Sequence, residues 1–179
     1  MCKRKWRICY FTPIKIVLLF SEFVLNNKSL YCIFIQKSAG GIAKVYIISE
    51  TNPTFEDYQA LHQTTGWNSK GLYTYEQLFQ AICRSWYSIS IYDEQTLIGY
   101  GRIISDGIYQ TFICDVMVHP EYQRNGIGTT IMEALLAHCK LKNIKWIQLS
   151  CAKGKQPFYQ KLGFSERDAD APGMMLFFE

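Results

Sequence analysis

The feature that most constrains this sequence is an apolar strand that leads through a glycine-rich turn into a long amphipathic helix. Ile127, Ile131 and Leu135 recur every four residues within positions 126–141, a spacing that places side chains on one side of a helix. Pro120 ends the apolar run before the turn. Because a helix with one apolar side must bury it against another layer, the pattern predicts a helix packed on a sheet.

The rest of the chain supplies the other elements of a layered fold. Thr54 with Asp57, and Thr74 with Gln77, have the spacing of helix-capping pairs, so helices are expected to about residues 65 and 86. Apolar or alternating runs predict strands at 44–49, 87–93, 97–105, 109–118, 146–151, 164–166 and 174–178. A short helix is expected at 156–162, before Gly163. This order predicts an α/β (α+β) fold, with a central mixed, mostly antiparallel sheet flanked by helices on both faces.

Composition fits a folded domain in a reducing compartment. The chain has 179 residues, of which 49% are hydrophobic and 19% charged, which argues against a disordered or fibrous protein. No apolar run reaches the roughly 18 residues of a membrane-spanning helix. The seven cysteines form no Cys-x-x-Cys pair, which argues against a disulfide framework or a zinc cluster. We therefore expect no metal and a cytoplasmic location.

Charge divides the chain near residue 44. Residues 1–44 carry eight basic side chains and one acidic, whereas residues 45–179 carry 11 basic and 14 acidic. We expect a basic N-terminal extension of unknown role at 1–44, a flexible junction at 38–41, and the working domain at 45–179. Three interpretations of the extension stay open: a targeting or membrane-surface segment, a structured part of the domain, or an appendage outside it.

The turn before the long helix has the properties of a phosphate-binding loop. Gly126 and Gly128 let backbone N–H groups approach a ligand closely, at a helix end that carries a partial positive charge. Arg124 adds a full charge. The spacing fits neither a dinucleotide fingerprint, whose third glycine would fall at Ile131, nor a P-loop, which needs Lys after its last glycine where Thr129 stands.

Two segments together resemble the GNAT superfamily of acetyl-CoA-dependent N-acetyltransferases. Residues 123–128, Gln-Arg-Asn-Gly-Ile-Gly, are similar to the family's Gln/Arg-x-x-Gly-x-Gly/Ala motif. Residues 158–164, Phe-Tyr-Gln-Lys-Leu-Gly-Phe, resemble its aromatic-Tyr-x-x-Leu-Gly-Phe run about 30 residues later. The resemblance covers residues 45–179 and implies a transferase that uses acetyl-CoA as its cosubstrate.

The resemblance also implies where acetyl-CoA is bound. Its pantetheine arm would pair with the backbone of Val116, Met117 and Val118, as an added strand would. Its diphosphate would lie on the turn and the first helical residues, which are Arg124, Asn125, Gly126, Ile127, Gly128 and Thr129. Further contacts are implied at Phe158 and at Lys155, which with Lys153 could meet the 3′-phosphate or be a solvated charge.

The implied reaction is direct attack of a primary amine on the thioester in a ternary complex. Tyr159 matches the family tyrosine that protonates the departing thiolate, and the N–H of Met117 or Val118 would stabilise the developing oxyanion. Asp115 is the candidate base; a structural carboxylate at this position, with a chain of waters as the base, is the alternative. His119 is more simply a turn residue.

The acceptor is not readable from the sequence, and other functions stay open. Asn68 and several aromatic residues near the first two helices would line an acceptor pocket or belong to the core; the aromatic residues are Trp67, Tyr73, Trp86 and Tyr87. Arg102 and Asp106 would contact an acceptor or each other.

The alternative functions are a non-catalytic CoA-binding or regulatory module, and a nucleic-acid binder acting through the basic extension. A homodimer is compatible with the resemblance, and no nucleic-acid partner is expected.

Overall fold

A six-stranded sheet organises the chain, which the computed structural model describes at residues 31–37 and 43–177. The strands are β1 (Tyr31–Lys37), β2 (Ala43–Ser49), β3 (Tyr87–Asp93), β4 (Thr96–Ser105), β5 (Gln110–Val118) and β6 (Trp146–Leu149). They lie side by side in chain order. Each neighbouring pair from β1 to β5 is antiparallel.

Local side-chain chemistry starts the first two helices where the sequence predicted. The helices are α1 (Phe55–Gln63), α2 (Tyr75–Cys83), α3 (Ile127–Leu141) and α4 (Gln156–Gln160). The Thr54 hydroxyl accepts from the backbone N–H of Asp57, and Thr74 and Gln77 exchange both bonds of a capping box. Helix α2 ends at Cys83, three residues before the predicted end, and Trp86 already donates its N–H to Ile103 on β4.

Helices cover both faces of the sheet. On one face, α3 packs against β3, β4 and β5. On the other face, α1 and α2 bury a cluster whose members are Tyr58, Leu61, Ile82, Leu97, Tyr100 and Met117. Successive side chains of β4 point to opposite faces of the sheet, so neighbouring residues of this strand pack in different layers. This arrangement confirms the predicted α/β fold with a mostly antiparallel sheet and helices on both faces.

Two glycines of β4 set how closely α3 approaches the sheet. A Cβ atom added at Gly101 would lie 2.5 Å from Cγ2 of Ile131, and one added at Gly99 would lie 2.9 Å from Cγ2 of Ile127. Ile127, Ile131 and Leu135 are fully buried, as their four-residue spacing predicted. The apolar side of α3 therefore packs directly against the backbone of β4, and this contact fixes where the helix begins.

The ends of the chain differ from the predictions. Strand β1 was not predicted, yet it pairs with β2 along its full length, from Tyr31 opposite Ser49 to Lys37 opposite Ala43. The strand predicted at 164–166, and the described residues of that predicted at 174–178, are not strands. Residues 174–177 are apolar but exposed, and an apolar run becomes a strand when a neighbour takes its backbone hydrogen bonds. The predicted junction at 38–41 lies outside the described residues.

The chain divides into two compact units after Gln148. The first unit contains α1, α2, α3 and the strands up to Trp146–Gln148. The second begins at Leu149 and contains α4. Within the residues that the structure describes, no helix is both long and apolar enough to span a bilayer.

Candidate active site

A bulge interrupts the pairing of β4 with β5 immediately before the segment predicted to bind pantetheine. Arg102 lies opposite Cys114, but Tyr100 lies opposite Met117, so β5 carries one residue more than β4 over this interval. Asp115 lies within the bulge and has a φ of 52°, a left-handed conformation that is uncommon for a residue with a side chain. The bulge therefore gives β5 a local shape that a regular strand would not have.

The side chain of Asp115 is held by an arginine on the neighbouring strand. The Nε of Arg102 donates to Oδ2 of Asp115 at 2.5 Å, and both side chains are mostly buried. Nη1 of Arg102 also donates to the carbonyl of Ala81 and the hydroxyl of Ser85, at the end of α2. Burial is the largest effect on the pKa of Arg102 and lowers it, but the charge of Asp115, its hydrogen bond and smaller effects of Cys114 and Tyr100 together raise the pKa, which keeps the guanidinium charged.

Arg102 and Asp106, which were predicted to contact an acceptor or each other, are not paired. The Asp106 carboxylate instead accepts hydrogen bonds from the backbone N–H groups of Ile108, Tyr109 and Gln110, and closes the turn between β4 and β5. Such bonds are usual for an Asp that opens a tight turn. The partner of Arg102 was missed because the bulge, which the sequence does not reveal, brings Asp115 within its reach.

The outer edge of β5 is uncovered near its end in the first unit. Strand β6 has four residues against nine in β5, and its Trp146 and Gln148 contact Tyr109 and Gln110, at the start of β5. These contacts advance in the same direction along both strands, as in a parallel pair. Within the first unit, β6 therefore does not reach Val116, Met117 and Val118.

The backbone groups of Val118 point toward that uncovered edge. His119 donates its N–H to the carbonyl of Ile98 on β4, and successive residues of a strand alternate between its two neighbours. Val118 therefore directs its N–H and carbonyl away from β4, while Met117 directs its own toward β4. The carbonyl of Val118 accepts a bond from the Gln123 side chain at 3.1 Å, which ties the turn back to the strand.

The glycine-rich turn adopts a shape that presents backbone N–H groups outward. Arg124 and Gly126 both have left-handed backbones, with φ of 62° and 74°. Gly126 is the N-cap of α3, and no side chain in the described part of the chain caps that helix. The N–H groups of Ile127, Gly128 and Thr129 therefore form the open first turn of the helix. Arg124 and Asn125 are exposed beside it.

The chemistry of this turn fits a diphosphate. The helix end provides several N–H donors and a partial positive charge, the first turn has no acidic residue, and Arg124 provides a full positive charge. The absence of a side chain at Gly126 leaves space for a phosphate to approach the backbone. Residues 116–118 and 124–129, which the resemblance implies to bind the coenzyme, both belong to the first unit, at the end of β5 and the start of α3.

The second unit contains the other predicted site residues. Lys155 is the N-cap of α4 and is exposed, as is Lys153. Tyr159 packs edge-on between Phe158 and Phe164, with ring centroids 5.0 and 6.1 Å away. Burial raises the pKa of Tyr159 above its ordinary value of 10.0, and the neighbouring Cys151 acts in the same direction. The phenol is therefore protonated at neutral pH, as a proton donor has to be.

The five residues predicted to line an acceptor pocket, four aromatic side chains and Asn68, form two separate groups. Trp67 packs edge-on against His62 of α1, and Asn68 bonds to the backbone of Tyr73. Trp86 and Tyr87 instead pack on His138 of α3, and the Tyr87 and His138 rings stack at 3.6 Å. The prediction that all five lie in one region was wrong, since strand β3 starts at Tyr87 and turns these rings to the α3 face.

Cys114 and His119 are further titratable residues near the site. Burial raises the pKa of Cys114 to about 11, so its thiol is neutral and does not serve as a nucleophile at neutral pH. Nδ1 of His119 is buried and has no hydrogen-bond partner among the described residues, and its ring lies beside Tyr122. The described residues contain no group of His, Cys, Asp or Glu side chains that could hold a metal ion.

Comparisons with known proteins identify the family. The family model for the acetyltransferase (GNAT) family matches residues 47–164, which is most of the chain and includes both the glycine-rich turn and Tyr159. The chain belongs to the GNAT family of acetyltransferases. This confirms the resemblance drawn from the motifs at 123–128 and 158–164, and it makes the chain an acetyltransferase.

Individual members of the GNAT family agree in sequence and structure. The N-acetyltransferase ycf52 of Gracilaria tenuistipitata var. liui, named as uncharacterized, is 28% identical over 77% of this chain and 76% of its own length. A GNAT family acetyltransferase from Streptococcus pneumoniae superposes with a TM-score of 0.63 and 28% identity, over 75% of this chain and 98% of its own. A shorter match, 38% identical over 47% of this chain and 33% of its own, is GCN5-related N-acetyltransferase 2, chloroplastic, of Arabidopsis thaliana.

Proposed function

We propose that this GNAT protein transfers the acetyl group of acetyl-CoA to a primary amine by direct attack in a ternary complex. The observation that carries the proposal is the open first turn of α3, with Arg124 and Gly126 in left-handed conformations beside it. A helix end with free N–H donors, a cation and no acidic side chain suits the diphosphate of coenzyme A.

Binding of the coenzyme draws on the backbone of two adjoining segments. The outer edge at Val116–Val118, which β6 does not reach within the first unit, would pair with the amide groups of the pantetheine arm, as an added strand pairs with a sheet edge. The diphosphate would accept hydrogen bonds from residues 124–129. Lys155 would contribute positive charge toward the 3′-phosphate, and Phe158 would pack against the coenzyme.

Catalysis requires three functions that residues of this chain can supply. Bound acetyl-CoA provides the thioester whose carbonyl carbon the amine attacks. Of the two N–H groups considered for the oxyanion, that of Val118 is favoured over that of Met117, because it points away from β4. The Tyr159 phenol would donate its proton to the departing sulfur. Asp115 would take the proton of the amine, with a chain of waters as the alternative.

The acceptor, location and assembly belong to the same proposal. The excess of acidic over basic residues in 45–179 favours a cationic amine. A cytoplasmic location is proposed, with a plastid as the alternative that the chloroplastic relative suggests. A homodimer is also compatible with the family.

A non-catalytic CoA-binding module is the competing function, and Tyr159 separates the two. Thiol release from acetyl-CoA should be screened against a panel of amines, and CoA binding measured by calorimetry, for the wild type and Tyr159→Phe. We expect the variant to lose about 10²-fold or more in kcat while its Kd for CoA is unchanged. The exposed Tyr109, changed to Phe, is the matched control and should retain full activity.

The outcomes distinguish the candidates. CoA binding without thiol release for any amine would favour the binding module. Full activity of Tyr159→Phe would remove the tyrosine from the mechanism, and absence of CoA binding by the wild type would overturn the proposed function itself.

A further inference from the structure

The glycine-rich turn is anchored to the sheet by a cluster of three residues that the sequence analysis did not single out. Lys44 lies on β2, Asp93 ends β3, and Tyr122 ends the 3-10 turn Pro120–Tyr122 that leads from β5 toward α3. The Tyr122 hydroxyl donates to Oδ2 of Asp93 at 2.7 Å. Nζ of Lys44 lies 2.7 Å from the same oxygen.

The cluster is built for a charge-assisted hydrogen bond. The Asp93 side chain is only 15% exposed. Burial by itself would raise the pKa of Asp93, but the bonds from Lys44 and Tyr122 outweigh it and hold the pKa below the ordinary value of 3.8. The carboxylate is therefore ionised at neutral pH, and bonds to an ionised acceptor are stronger than neutral ones. Lys44 also lies over the Tyr122 ring, 5.0 Å from its centroid.

The bond between Tyr122 and Asp93 lies next to the part of the turn that has little other packing. Tyr122 is two residues before Arg124, which has a left-handed backbone, and four before Gly126, which has another. Glu121, Gln123, Arg124 and Asn125 are exposed, so little packing holds this part of the chain. A turn that is ordered before the ligand arrives avoids the entropy cost of ordering during binding.

We propose that Tyr122 is a positioning residue for coenzyme binding: its bond to Asp93 holds the turn in the shape that presents the N–H groups of α3 and the Arg124 side chain to a diphosphate. The inference rests on the proposed function, because it takes the turn as the diphosphate site. Tyr122 acts through the backbone of the turn and does not itself contact the reacting atoms.

The test is the variant Tyr122→Phe in the full chain, which removes the hydroxyl and keeps the ring. We expect the Kd for CoA, measured by calorimetry, to rise roughly threefold to tenfold. In steady-state assays the KM for acetyl-CoA should rise by a similar factor while kcat stays within about twofold. Asp93→Asn leaves a neutral acceptor for the Tyr122 hydroxyl. This variant should also raise the Kd for CoA, but by a smaller factor than Tyr122→Phe.

A truncated substrate separates positioning from general loss of structure. S-acetylpantetheine has the thioester but no diphosphate, so its kcat/KM should be equal for the wild type and Tyr122→Phe. Tyr109→Phe, the same chemical change at an exposed residue just before β5 and at the opposite end of that strand from the turn, should leave every value at the wild-type level.

Each outcome decides between the inferences. A Kd for CoA equal to the wild type, or an equal loss with S-acetylpantetheine, would overturn the role of Tyr122 and leave the proposed function standing. A wild-type protein that does not bind CoA would overturn both.

Discussion

Nε of Arg102 lies 2.5 Å from Oδ2 of Asp115, at the point where β5 carries one residue more than β4. The ion pair therefore joins the residue with the left-handed backbone in β5 to the strand beside it, and through Ala81 and Ser85 to the end of α2. Two experiments separate the catalytic from the structural contribution of this pair.

Asp115→Asn tests whether the carboxylate accepts the amine proton. An amide is nearly isosteric with the carboxylate but is not a base, so we expect kcat/KM to fall about 10²-fold. A kcat/KM within about twofold of the wild-type value would assign Asp115 a structural role and leave the amine proton to water.

Arg102→Met tests the structural contribution. Removing one member of a mostly buried ion pair leaves the other charge uncompensated, so the free energy of unfolding should fall by about 3 kcal/mol in urea denaturation. The exposed control is Arg124→Met, which should leave stability close to that of the wild type while weakening CoA binding. A loss below about 0.5 kcal/mol for Arg102→Met would show that the pair does not hold the bulge.

Gly101→Ala should disturb the packing of α3 on β4. Its Cβ would lie 2.5 Å from Ile131 and 3.2 Å from Leu135, so the helix must shift, and stability should fall by about 2 kcal/mol. Gly173→Ala is the matched control, because a Cβ there meets nothing within 4 Å. Equal thermal melting curves for the two variants would contradict the close approach.

Gly126→Ala and Gly71→Ala form a matched pair for the coenzyme site. Both glycines have positive φ, 74° and 63°, so each alanine should cost about 1 to 2 kcal/mol of stability. Gly126 lies in the proposed diphosphate site and Gly71 in the loop between α1 and α2. Calorimetry should therefore show weaker CoA binding for Gly126→Ala alone, and equal affinities for the two variants would place the diphosphate elsewhere.

His62 should make the fold less stable in acid. Burial lowers its pKa below the ordinary 6.5, against an opposing effect of Asp115, so the unfolded chain binds a proton at a higher pH than the folded protein does. The contribution of neutral His62 to the free energy of unfolding is therefore fully present above about pH 6.5. It is lost as the pH drops through the pKa of His62 in the folded protein. The pKa of His138 is lowered in the same way, by burial first and Lys142 second, and adds to the loss.

His62→Phe checks this dependence. The ring packing with Tyr58, Trp67 and Tyr75 can be retained, and the buried Nδ1, which has no partner among the described residues, is removed. We expect a gain of about 1 kcal/mol at pH 7 and a larger gain at pH 5.5, from melting temperatures at both values. A gain that does not grow in acid would show that His62 does not titrate in this range.

Features that depend on short stretches of chain could be predicted from the sequence. The caps at Thr54 and Thr74, the apolar side of α3 and the turn at Gly126 each follow from residues within a few positions of one another. The same holds for the motif that contains Tyr159, whose role in the reaction stays a prediction.

Features that depend on distant partners could not be predicted. The left-handed Asp115 follows from a register shift between two strands, and Arg102 pairs with Asp115 because of that shift. Strand β1 needs β2 as a neighbour, and the apolar residues 174–177 show that composition alone does not make a strand. The bond between Asp93 and Tyr122 spans 29 residues and has no local signature.

The contact of α3 with the bare backbone at Gly99 and Gly101 also limits how this enzyme can diversify. Moving the helix toward the sheet would push its isoleucines into the strand, so the position of the open first turn of α3 depends on those two glycines. If the proposed coenzyme site lies at this turn, its dimensions are tied to the two glycines, and amine preference can change through α1 and α2, which pack on the opposite face of the sheet.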